Sequence, residues 1–403
     1  MARCEHTRLK AHSEDAAPFT AFILKVANRC NIDCDYCYVF NSADQAWRHL
    51  PARMSTAVAR SAAHRIGEHA AAHGLSAVHV VLHGGEPLLA GPRHTAALLA
   101  AVREGIPTAT TVHFELQTNG TLITEEWLDL FEEYGVVVGV SLDGPQAAND
   151  RHRLTRSQRS SASSAVRGIE LLRSRPHLFA GLLAVVDLAN EPGEVHDHLA
   201  SFEPPVIDFN LPHATHDEPP HRNDPGLPEY GIWMSRVYDA WLAGDGNRHS
   251  VRMLEDIVAL SSGVRSSVET LGLAPSASIV IESDGTIEDV DTLRSVEEGA
   301  SRLDADVHRH SFDAVRRHPK LAHRRTGTAT LAEKCRACPL LEVCGGGYLP
   351  HRFSTARGYR NPSVYCADLE YLIRHVQGSL RHHGWHLSPD RATVPEPSVD
   401  AGE

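Results

Sequence analysis

The 403-residue sequence contains no long apolar run. No stretch reaches the roughly 20 consecutive apolar residues that a membrane-spanning helix needs, and residues 1–17 lack the apolar centre of a signal peptide. Basic residues are also in deficit, with 39 Lys and Arg against 51 Asp and Glu and a net charge of -12. Because nucleic-acid phosphates bind clustered Lys and Arg, this balance argues against such a partner. The sequence therefore predicts a cytoplasmic protein with no membrane and no nucleic-acid partner.

Cysteine is scarce as well, with eight residues in the whole chain. This number is too small for the disulfide scaffold of a secreted domain. The eight are unevenly placed, however: three lie near the start, four lie near the end, and only Cys4 stands apart. Grouped cysteines without disulfides indicate metal ligation in a reducing compartment.

Histidine is plentiful, with 27 residues scattered along the chain. The pair His69 and His73 has the spacing of a helical zinc site, but it lacks the Glu of the H-E-x-x-H motif of zinc hydrolases. We therefore interpret most of the histidines as surface residues.

Short apolar runs alternate with segments of helical periodicity from Phe19 onward, which is typical of βα units around a parallel sheet. Six runs are predicted as strands: Phe22–Val26, Val78–Leu82, Val112–Leu116, Val136–Val140, Leu182–Val186 and Val206–Phe209. The intervening helices include Met54–His73, Arg93–Glu104, Thr124–Tyr134 and Ser163–Ser174. A doubly wound open sheet is an alternative on strand count alone. An open barrel of six strands suits the cysteine loop after the first strand better.

That loop carries three cysteines, Cys30, Cys34 and Cys37. Three thiolates can hold three corners of an iron-sulfur cube and leave the fourth iron free to bind a small molecule. A structural zinc or an electron-transfer cluster would normally be closed by a fourth ligand. The alternative is that the cysteines are buried as small apolar residues.

The C-x3-C-x2-C spacing, with Tyr36 before the last cysteine, resembles the signature of the radical S-adenosylmethionine (radical SAM) enzymes. The resemblance implies an α/β fold with a partial (β/α)6 barrel, a 4Fe-4S cluster on the three cysteines, and S-adenosylmethionine (SAM) on the open iron. In that family an electron from the reduced cluster cleaves SAM to a 5′-deoxyadenosyl radical, which abstracts hydrogen. An electron donor such as a flavodoxin or ferredoxin is implied as a partner.

The loops after four further strands carry the predicted SAM site. These loops lie at the carboxyl ends of the strands, where the active sites of such barrels are found. His83–Pro87 resembles the GGE motif of the family, which holds the amino group of the SAM methionine. By the same resemblance Tyr36 lies near the adenine and acts mainly through its backbone, and Arg153 pairs with the methionine carboxylate. Taken alone, each segment is also explained as a turn. The predicted SAM-binding residues are Tyr36, Gly84, Gly85, Glu86, Gln117, Asn119, Ser141, Asp143, Arg153 and Val185.

Four cysteines near the end can close a second metal site: Cys335, Cys338, Cys344 and Cys366. Their spacing resembles the SPASM domain of radical SAM peptide maturases, which often carries two auxiliary 4Fe-4S clusters. Here Tyr348 stands where that family has a fourth clustered cysteine, and the predicted hairpin around Gly285 has no cysteine. One auxiliary 4Fe-4S cluster is therefore expected on the four thiols, and a structural zinc is the alternative.

We predict five segments along the chain. An N-terminal arm (1–18) precedes the radical SAM partial barrel (19–250), and a helical bridge (251–274) leads to a small α+β SPASM-like domain (275–376). A C-terminal tail (377–403) follows, whose Pro, Ser and Asp residues predict disorder at its end.

Three segments resemble the FxsB-type maturases in amino-acid sequence: Leu24–Asn41, Val80–Leu88 and Ile279–Gly285. The resemblance implies a cyclophane cross-link in a ribosomal precursor peptide, from the ring of an aromatic residue to the Cβ of a nearby residue. The metallohydrolase-like extension of longer family members is absent from this sequence, so no activity of that extension is expected. By its position after the hairpin, where the related sulfatase-maturing enzymes carry an Asp, Asp291 is the candidate base for loss of the ring proton. The alternative is a surface carboxylate in a hairpin.

Three other functions share these motifs. A thioether-forming maturase and a formylglycine-generating, sulfatase-maturing enzyme would use the same SAM site, although the missing ligands of the first auxiliary cluster weigh against the latter. A non-catalytic iron-sulfur or zinc scaffold that binds a peptide would not cleave SAM. The precursor peptide, the mode of leader recognition and the oligomeric state are not encoded in any motif that we recognise.

Overall fold

The structure is a computed structural model that describes residues 17–244, 249–264, 269–325, 327–385 and 387. Cys4, most of the predicted N-terminal arm and the end of the predicted C-terminal tail lie outside the described residues. None of the helices within the described part is long and apolar enough to cross a bilayer.

Ten strands form one sheet. They are β1 (Ala21–Ala27), β2 (Ala77–Gly84), β3 (Thr111–Thr118), β4 (Val136–Ser141), β5 (Phe179–Val185), β6 (Val206–Asn210), β7 (Ser250–Val251), β8 (Ser278–Ile281), β9 (Thr286–Glu288) and β10 (Arg302–Asp306). The order across the sheet is β10-β9-β8-β1-β2-β3-β4-β5-β6-β7. Strands β1 to β6 pair in parallel in chain order, as predicted for a radical SAM barrel, and all six predicted strands are present.

Helices connect these strands. They are α1 (Thr56–His73), α2 (Pro92–Gly105), α3 (Glu125–Tyr134), α4 (Gln146–His152), α5 (Ala162–Arg173), α6 (Pro192–Ala200), α7 (Glu229–Ala243), α8 (Arg252–Ser261), α9 (Phe312–Val315), α10 (Ala322–Arg325), α11 (Glu333–Arg336), α12 (Leu341–Cys344) and α13 (Cys366–His382). Short 3-10 helices occur at Ala46–Arg48, Pro87–Ala90, Pro176–Leu178, Asp291–Ser295, Pro319–Leu321, Gly327–Thr330 and Pro350–Arg352. Helix α13 runs through the predicted domain boundary at residue 376.

Local sequence explains the helix boundaries. The side chain of Ser55 accepts the backbone N–H of Val58 and caps α1, and Gly74 ends that helix in the left-handed conformation. Thr124 precedes α3, whose first turn carries Glu125 and Glu126 near the positive end of the helix dipole. Most of the longer helices bury an apolar side in one large core with the sheet, and α13 packs on α7 and α8. Two smaller apolar clusters lie around Leu293 and Leu331.

The hairpin of the C-terminal part joins the barrel sheet directly. Strand β8 pairs in parallel with β1, with Ile281 opposite Leu24, and β9 returns antiparallel after the Asp284-Gly285 turn. The first barrel strand is therefore not an open edge. This pairing places Asp291, three residues after β9, beside the barrel interior.

Candidate active site

A cavity of about 370 Å³ opens at the carboxyl ends of the barrel strands. Its walls come from the cysteine loop after β1, from the loops after β2 to β6, and from the C-terminal part of the chain. All three cysteines of the predicted radical SAM motif line it. Of the ten predicted SAM-binding residues, it is lined by Tyr36, Gly84, Gly85, Gln117, Asn119, Ser141, Arg153 and Val185.

The cysteine loop is shaped to hold metal-bound sulfur. Burial raises the pKa of Cys30 to about 12 and that of Cys34 to about 11, so both thiols are protonated until a metal displaces the proton. Backbone N–H groups donate to the sulfur atoms: that of Ile32 to Cys30, and those of Val39 and Phe40 to Cys37. Such donors stabilise thiolate ligands, so the loop fits a cluster on its three cysteines.

Two glycines after β2 are required by close packing. A Cβ atom on Gly84 would lie 2.0 Å from the carbonyl oxygen of Ala27, and one on Gly85 would lie 2.4 Å from that of Arg29. No side chain fits at either place. The absence of side chains brings the end of β2 against the cysteine loop, so that backbone from both lines the same wall.

Glu86 and Asp143 do not line the cavity but lie directly behind it. Glu86 accepts hydrogen bonds from the Thr118 hydroxyl at 2.7 Å and from the backbone N–H of Asn119 at 2.8 Å. Burial raises its pKa above the usual range, although these hydrogen bonds oppose the shift. Asp143 accepts from the backbone N–H of Val185 at 3.1 Å. Both carboxyl groups therefore hold SAM-site loops together in this structure.

Tyr36 forms hydrogen bonds through its side chain, whereas a role mainly through its backbone was predicted. Its hydroxyl donates to Asp143 and accepts from Arg153 Nη1 at 2.9 Å. Burial raises the pKa of Tyr36 well above its usual range, so the hydroxyl stays protonated and keeps its donor. The guanidinium of Arg153 is thereby fixed at the cavity wall, where it can bind a carboxylate.

Asp291, the candidate base, is buried and ion-paired. Its carboxylate accepts hydrogen bonds from Lys25 Nζ and, at 2.9 Å, from the Tyr38 hydroxyl. Burial alone would raise its pKa, but the charges of Lys25 and His83 outweigh burial and hold the pKa well below its usual range. Tyr38 and His83 line the cavity, whereas Asp291 lies behind them. A proton from the cavity would therefore reach Asp291 through one of these neighbours.

Residues that the sequence analysis did not assign to the SAM site or to catalysis line the far side of the cavity. They are Tyr38, His213, Met253, Glu269, Thr292, Tyr348 and His351. His213 follows β6, so the rule that barrel sites lie after strands would have identified it. His351 comes from a 3-10 helix far along the chain, and no local signal marks it.

The second cysteine group lies where α11, α12 and α13 meet. Cys335 is in α11, Cys344 ends α12 and Cys366 begins α13. Gly345, directly after Cys344, has a φ of +64°, and a Cβ there would lie 1.8 Å from the Gly272 carbonyl oxygen. The sequence therefore needs glycine to turn the chain at this cysteine.

The spacing of the sulfurs in this group favours a cluster over zinc. Arg352, which is 6% exposed, lies close enough to Cys335 and Cys344 to interact with their charges, as suits an anionic site with either metal. Within the described residues, no three cysteine sulfurs lie within 4.8 Å of one another. Zinc bonds of about 2.3 Å would hold its sulfur ligands closer together than that.

His69 and His73 correct the prediction of surface histidines. His69 is 1% exposed, and both rings hydrogen-bond Asp313, at 3.1 Å and 2.6 Å. The three side chains lie close enough to hold a metal ion. However, His69 Nε2 accepts the backbone N–H of Phe19, so the hydrogen of the neutral ring is on Nδ1, the atom that faces Asp313. The group therefore links α1 to α9 through hydrogen bonds.

Comparison with known proteins agrees with this geometry. Residues 24–183 match the model of the Radical SAM superfamily. A serine-type anaerobic sulfatase-maturating enzyme from Klebsiella aerogenes is 28% identical over 352 residues, which cover 87% of this chain and 84% of that protein. The structure of anSMEcpe with bound AdoMet and the Cp18Cys peptide superimposes with a TM-score of 0.76 at 22% identity, over 90% of this chain and 98% of that chain.

A second solved structure, Streptococcus suis SuiB bound to the precursor peptide SuiA, gives a TM-score of 0.58 at 17% identity, over 86% of this chain and 76% of that chain. Residues 24–183 therefore form a radical SAM domain, within a fold shared over most of the chain. The cofactors of this domain are SAM and a 4Fe-4S cluster, and the chain is an enzyme. The predicted α/β radical SAM fold is confirmed, while the FxsB-type assignment remains a prediction.

Proposed function

We propose that this radical SAM enzyme modifies a ribosomally made precursor peptide by joining an aromatic ring carbon to the Cβ of a nearby residue, which forms a cyclophane. The observation that carries the proposal is the lining of the cavity, which contains the three cysteines together with aromatic and imidazole rings. A peptide substrate is supported by the peptides bound in the anSMEcpe and SuiB structures.

The far side differs from a site built around a second auxiliary cluster. The hydroxyls of Thr292 and Tyr348 are hydrogen-bonded to each other at the cavity wall. No cysteine among the described residues lies in the β8–β9 hairpin or at this contact. We therefore propose a single auxiliary 4Fe-4S cluster, on Cys335, Cys338, Cys344 and Cys366.

Bound SAM and the reduced cluster supply the radical that removes one hydrogen atom from Cβ of the peptide. Closing the carbon-carbon bond then requires the ring carbon to lose its hydrogen as a proton and one electron. We propose the auxiliary cluster as the electron acceptor, with a flavodoxin or ferredoxin as the donor that reduces the SAM-binding cluster. The peptide loses two hydrogens in total.

Asp291 remains our proposed base, acting through Tyr38. Its carboxylate is ionised because of Lys25, and it accepts a hydrogen bond from the tyrosine hydroxyl that faces the cavity. Asp291→Asn should lower the cross-linking rate by about 100-fold or more, the usual contribution of a general base. The measurement is the amount of cross-linked peptide per 5′-deoxyadenosine formed. The matched control is Asp284→Asn, in the exposed turn of the same hairpin. Full cross-linking by Asp291→Asn would remove this residue from the mechanism.

Formylglycine formation is the second candidate function. The 28% identity to a sulfatase-maturating enzyme over 87% of the chain favours it. That reaction would oxidise a Ser or Cys side chain to an aldehyde, which a hydrazide reagent captures. A cyclophane contains no aldehyde and blocks fragmentation between the two linked residues in tandem mass spectrometry.

The deciding experiment supplies the reconstituted enzyme with SAM, a reductant and a candidate precursor peptide that contains an aromatic residue. Loss of two hydrogens, no hydrazide adduct and no reaction after the aromatic residue is changed to Ala would support the cyclophane. A hydrazide adduct would establish formylglycine instead. Loss of the product when a peptide cysteine is alkylated would indicate a thioether, and absence of 5′-deoxyadenosine would leave only a scaffold.

A further inference from the structure

The far side of the cavity is built from four rings, which we call the ring wall: Tyr38, His213, Tyr348 and His351. Tyr38 and His213 meet edge to face, with ring centroids 5.0 Å apart. Tyr348 and His351 meet in the same way at 5.4 Å, and the two histidines are 6.2 Å apart. The wall joins a barrel strand loop to the C-terminal part of the chain, and it forms only when both are folded.

His351 has one ring nitrogen that donates a hydrogen bond and one that is buried without a partner. The carbonyl oxygen of Pro212 accepts a hydrogen bond from the ring, and Nε2 is buried with no partner. The ring nitrogen that donates to Pro212 is therefore Nδ1, which leaves the lone pair of the neutral ring on Nε2. The residue is 5% exposed and lines the cavity. A buried acceptor without a partner is unusual in a folded protein. Nε2 has almost no surface open to the cavity, so a ligand donor would reach it only after the imidazole ring turns.

The ring wall carries no net charge. Burial lowers the pKa of His213 to about 4 and that of His351 to about 3, so both rings are neutral near pH 7. Glu269, which also lines the cavity, is already paired with Arg324 at 2.6 Å. Neither a carboxylate nor an ammonium group would find a free counter-charge at this wall. A neutral ligand group is the one that fits.

We propose that the ring wall is a subsite for a peptide side chain that is aromatic and carries its own hydrogen-bond donor, such as the phenol of Tyr or the indole of Trp. On binding, the His351 ring turns so that Nε2 accepts this donor. Aromatic rings pack favourably edge to face against rings of this kind, and the donor satisfies the acceptor that has no partner. The inference rests on the proposed function, because a cyclophane enzyme must hold an aromatic ring within reach of the SAM end of the cavity.

Small ring compounds test the subsite without catalysis. The probes are 4-methylphenol, which has the Tyr side-chain donor, and toluene, which has the same ring without it. Each is added anaerobically to the reconstituted enzyme with SAM bound, so that the SAM end is filled, and binding is measured by equilibrium dialysis. We expect 4-methylphenol to bind roughly five- to tenfold more tightly than toluene, as one neutral hydrogen bond allows.

Two variants assign the difference to one atom. His351→Phe keeps a ring but removes the acceptor, so it should bind both probes equally. His351→Gln keeps a side-chain oxygen near the position of Nε2 and should retain part of the preference. His113→Phe, which changes an exposed histidine on β3, should leave the preference intact. Iron content and the unfolding temperature show that each variant is folded.

Three outcomes would overturn the subsite: no binding of either probe, equal binding of both by the wild type, or an unchanged preference in His351→Phe. These outcomes are separate from the proposed function. An enzyme that forms a cyclophane but does not prefer 4-methylphenol would retain the function and lose the subsite. An enzyme with the preference but a formylglycine product would retain the subsite and lose the cyclophane.

Discussion

The polar side chains at the two ends of the cavity differ in their hydrogen bonding. At the SAM end the side chains are bonded to one another: Gln117 to Ser141 at 2.9 Å, and Tyr36 to both Asp143 and Arg153. At the ring wall, buried nitrogens of His213 and His351 have no partner. The difference indicates that the SAM end is fixed before any ligand arrives, whereas the ring wall is completed by one.

The two ends also differ in how the chain builds them. The SAM end uses the loops after β1 to β4, which lie within the matched residues 24–183, and Val185 at the end of β5, two residues beyond them. The ring wall combines Tyr38 and the loop after β6 with residues more than a hundred positions further along. Local βα units are therefore enough to form one end, and the other depends on docking of the C-terminal part.

The largest expected effect is at the SAM end. Replacing Cys30, Cys34 and Cys37 together with Ala should abolish 5′-deoxyadenosine formation and lower the iron content, because the open iron needs all three thiolates. Product is quantified anaerobically after reconstitution. Cys4→Ala, which changes the one cysteine outside both groups, should behave as wild type. Product from the triple variant above the no-enzyme background would contradict the assignment.

The second-largest effect is expected at the ion pair between Lys25 and Asp291, which links β1 to the C-terminal part of the chain. Lys25→Met should lower the free energy of unfolding by about 3–5 kcal/mol, because Asp291 is left buried without its partner. Lys25→Met with Asp291→Asn should recover much of the loss. Urea unfolding of the reconstituted protein measures both, with the exposed Lys320→Met as control. Equal stability of wild type and Lys25→Met would show that this pair does not join the two regions.

A smaller effect is expected at Arg153. Arg153→Lys keeps the charge but not the planar group held by Tyr36, and it should weaken SAM binding about tenfold. Equilibrium dialysis with SAM measures this change. Arg167→Lys, on the exposed side of α5, should bind SAM normally. Unchanged affinity of Arg153→Lys would mean that the preformed SAM end does not depend on this side chain.

The smallest effect concerns pH. Protonation of Nε2 would remove the acceptor of the ring wall, but burial lowers the pKa of His351 to about 3. Binding of 4-methylphenol should therefore be constant between roughly pH 6 and pH 8, where an ordinary histidine with a pKa of about 6.5 titrates. Weaker binding with a midpoint near 6.5 as the pH falls would show that the imidazoles are not the neutral acceptors described above.

Most strands and helices of the barrel could be predicted from the local sequence pattern. The predicted strand Val136–Val140 is one residue shorter than β4, and Thr124–Tyr134 differs from α3 by its cap residue. Such segments are predictable because periodic burial and capping depend on neighbours in sequence. The pairing of β8 with β1 was not predicted, because a strand of four residues has no signal for a partner that is about 250 positions away.

The sequence by itself predicted the radical SAM domain, because the spacing of three cysteines in one short loop after a strand resembles the signature of that family, and residues 24–183 match its model. It also determined which segments follow the strands and so line the SAM end. Only the tertiary structure decided that Asp291 is paired with Lys25 and that Tyr36 acts through its hydroxyl. It also decided that His351 lines the cavity and has a buried nitrogen without a partner. These features depend on contacts between distant segments and on burial, which arise only when the C-terminal part packs against the barrel.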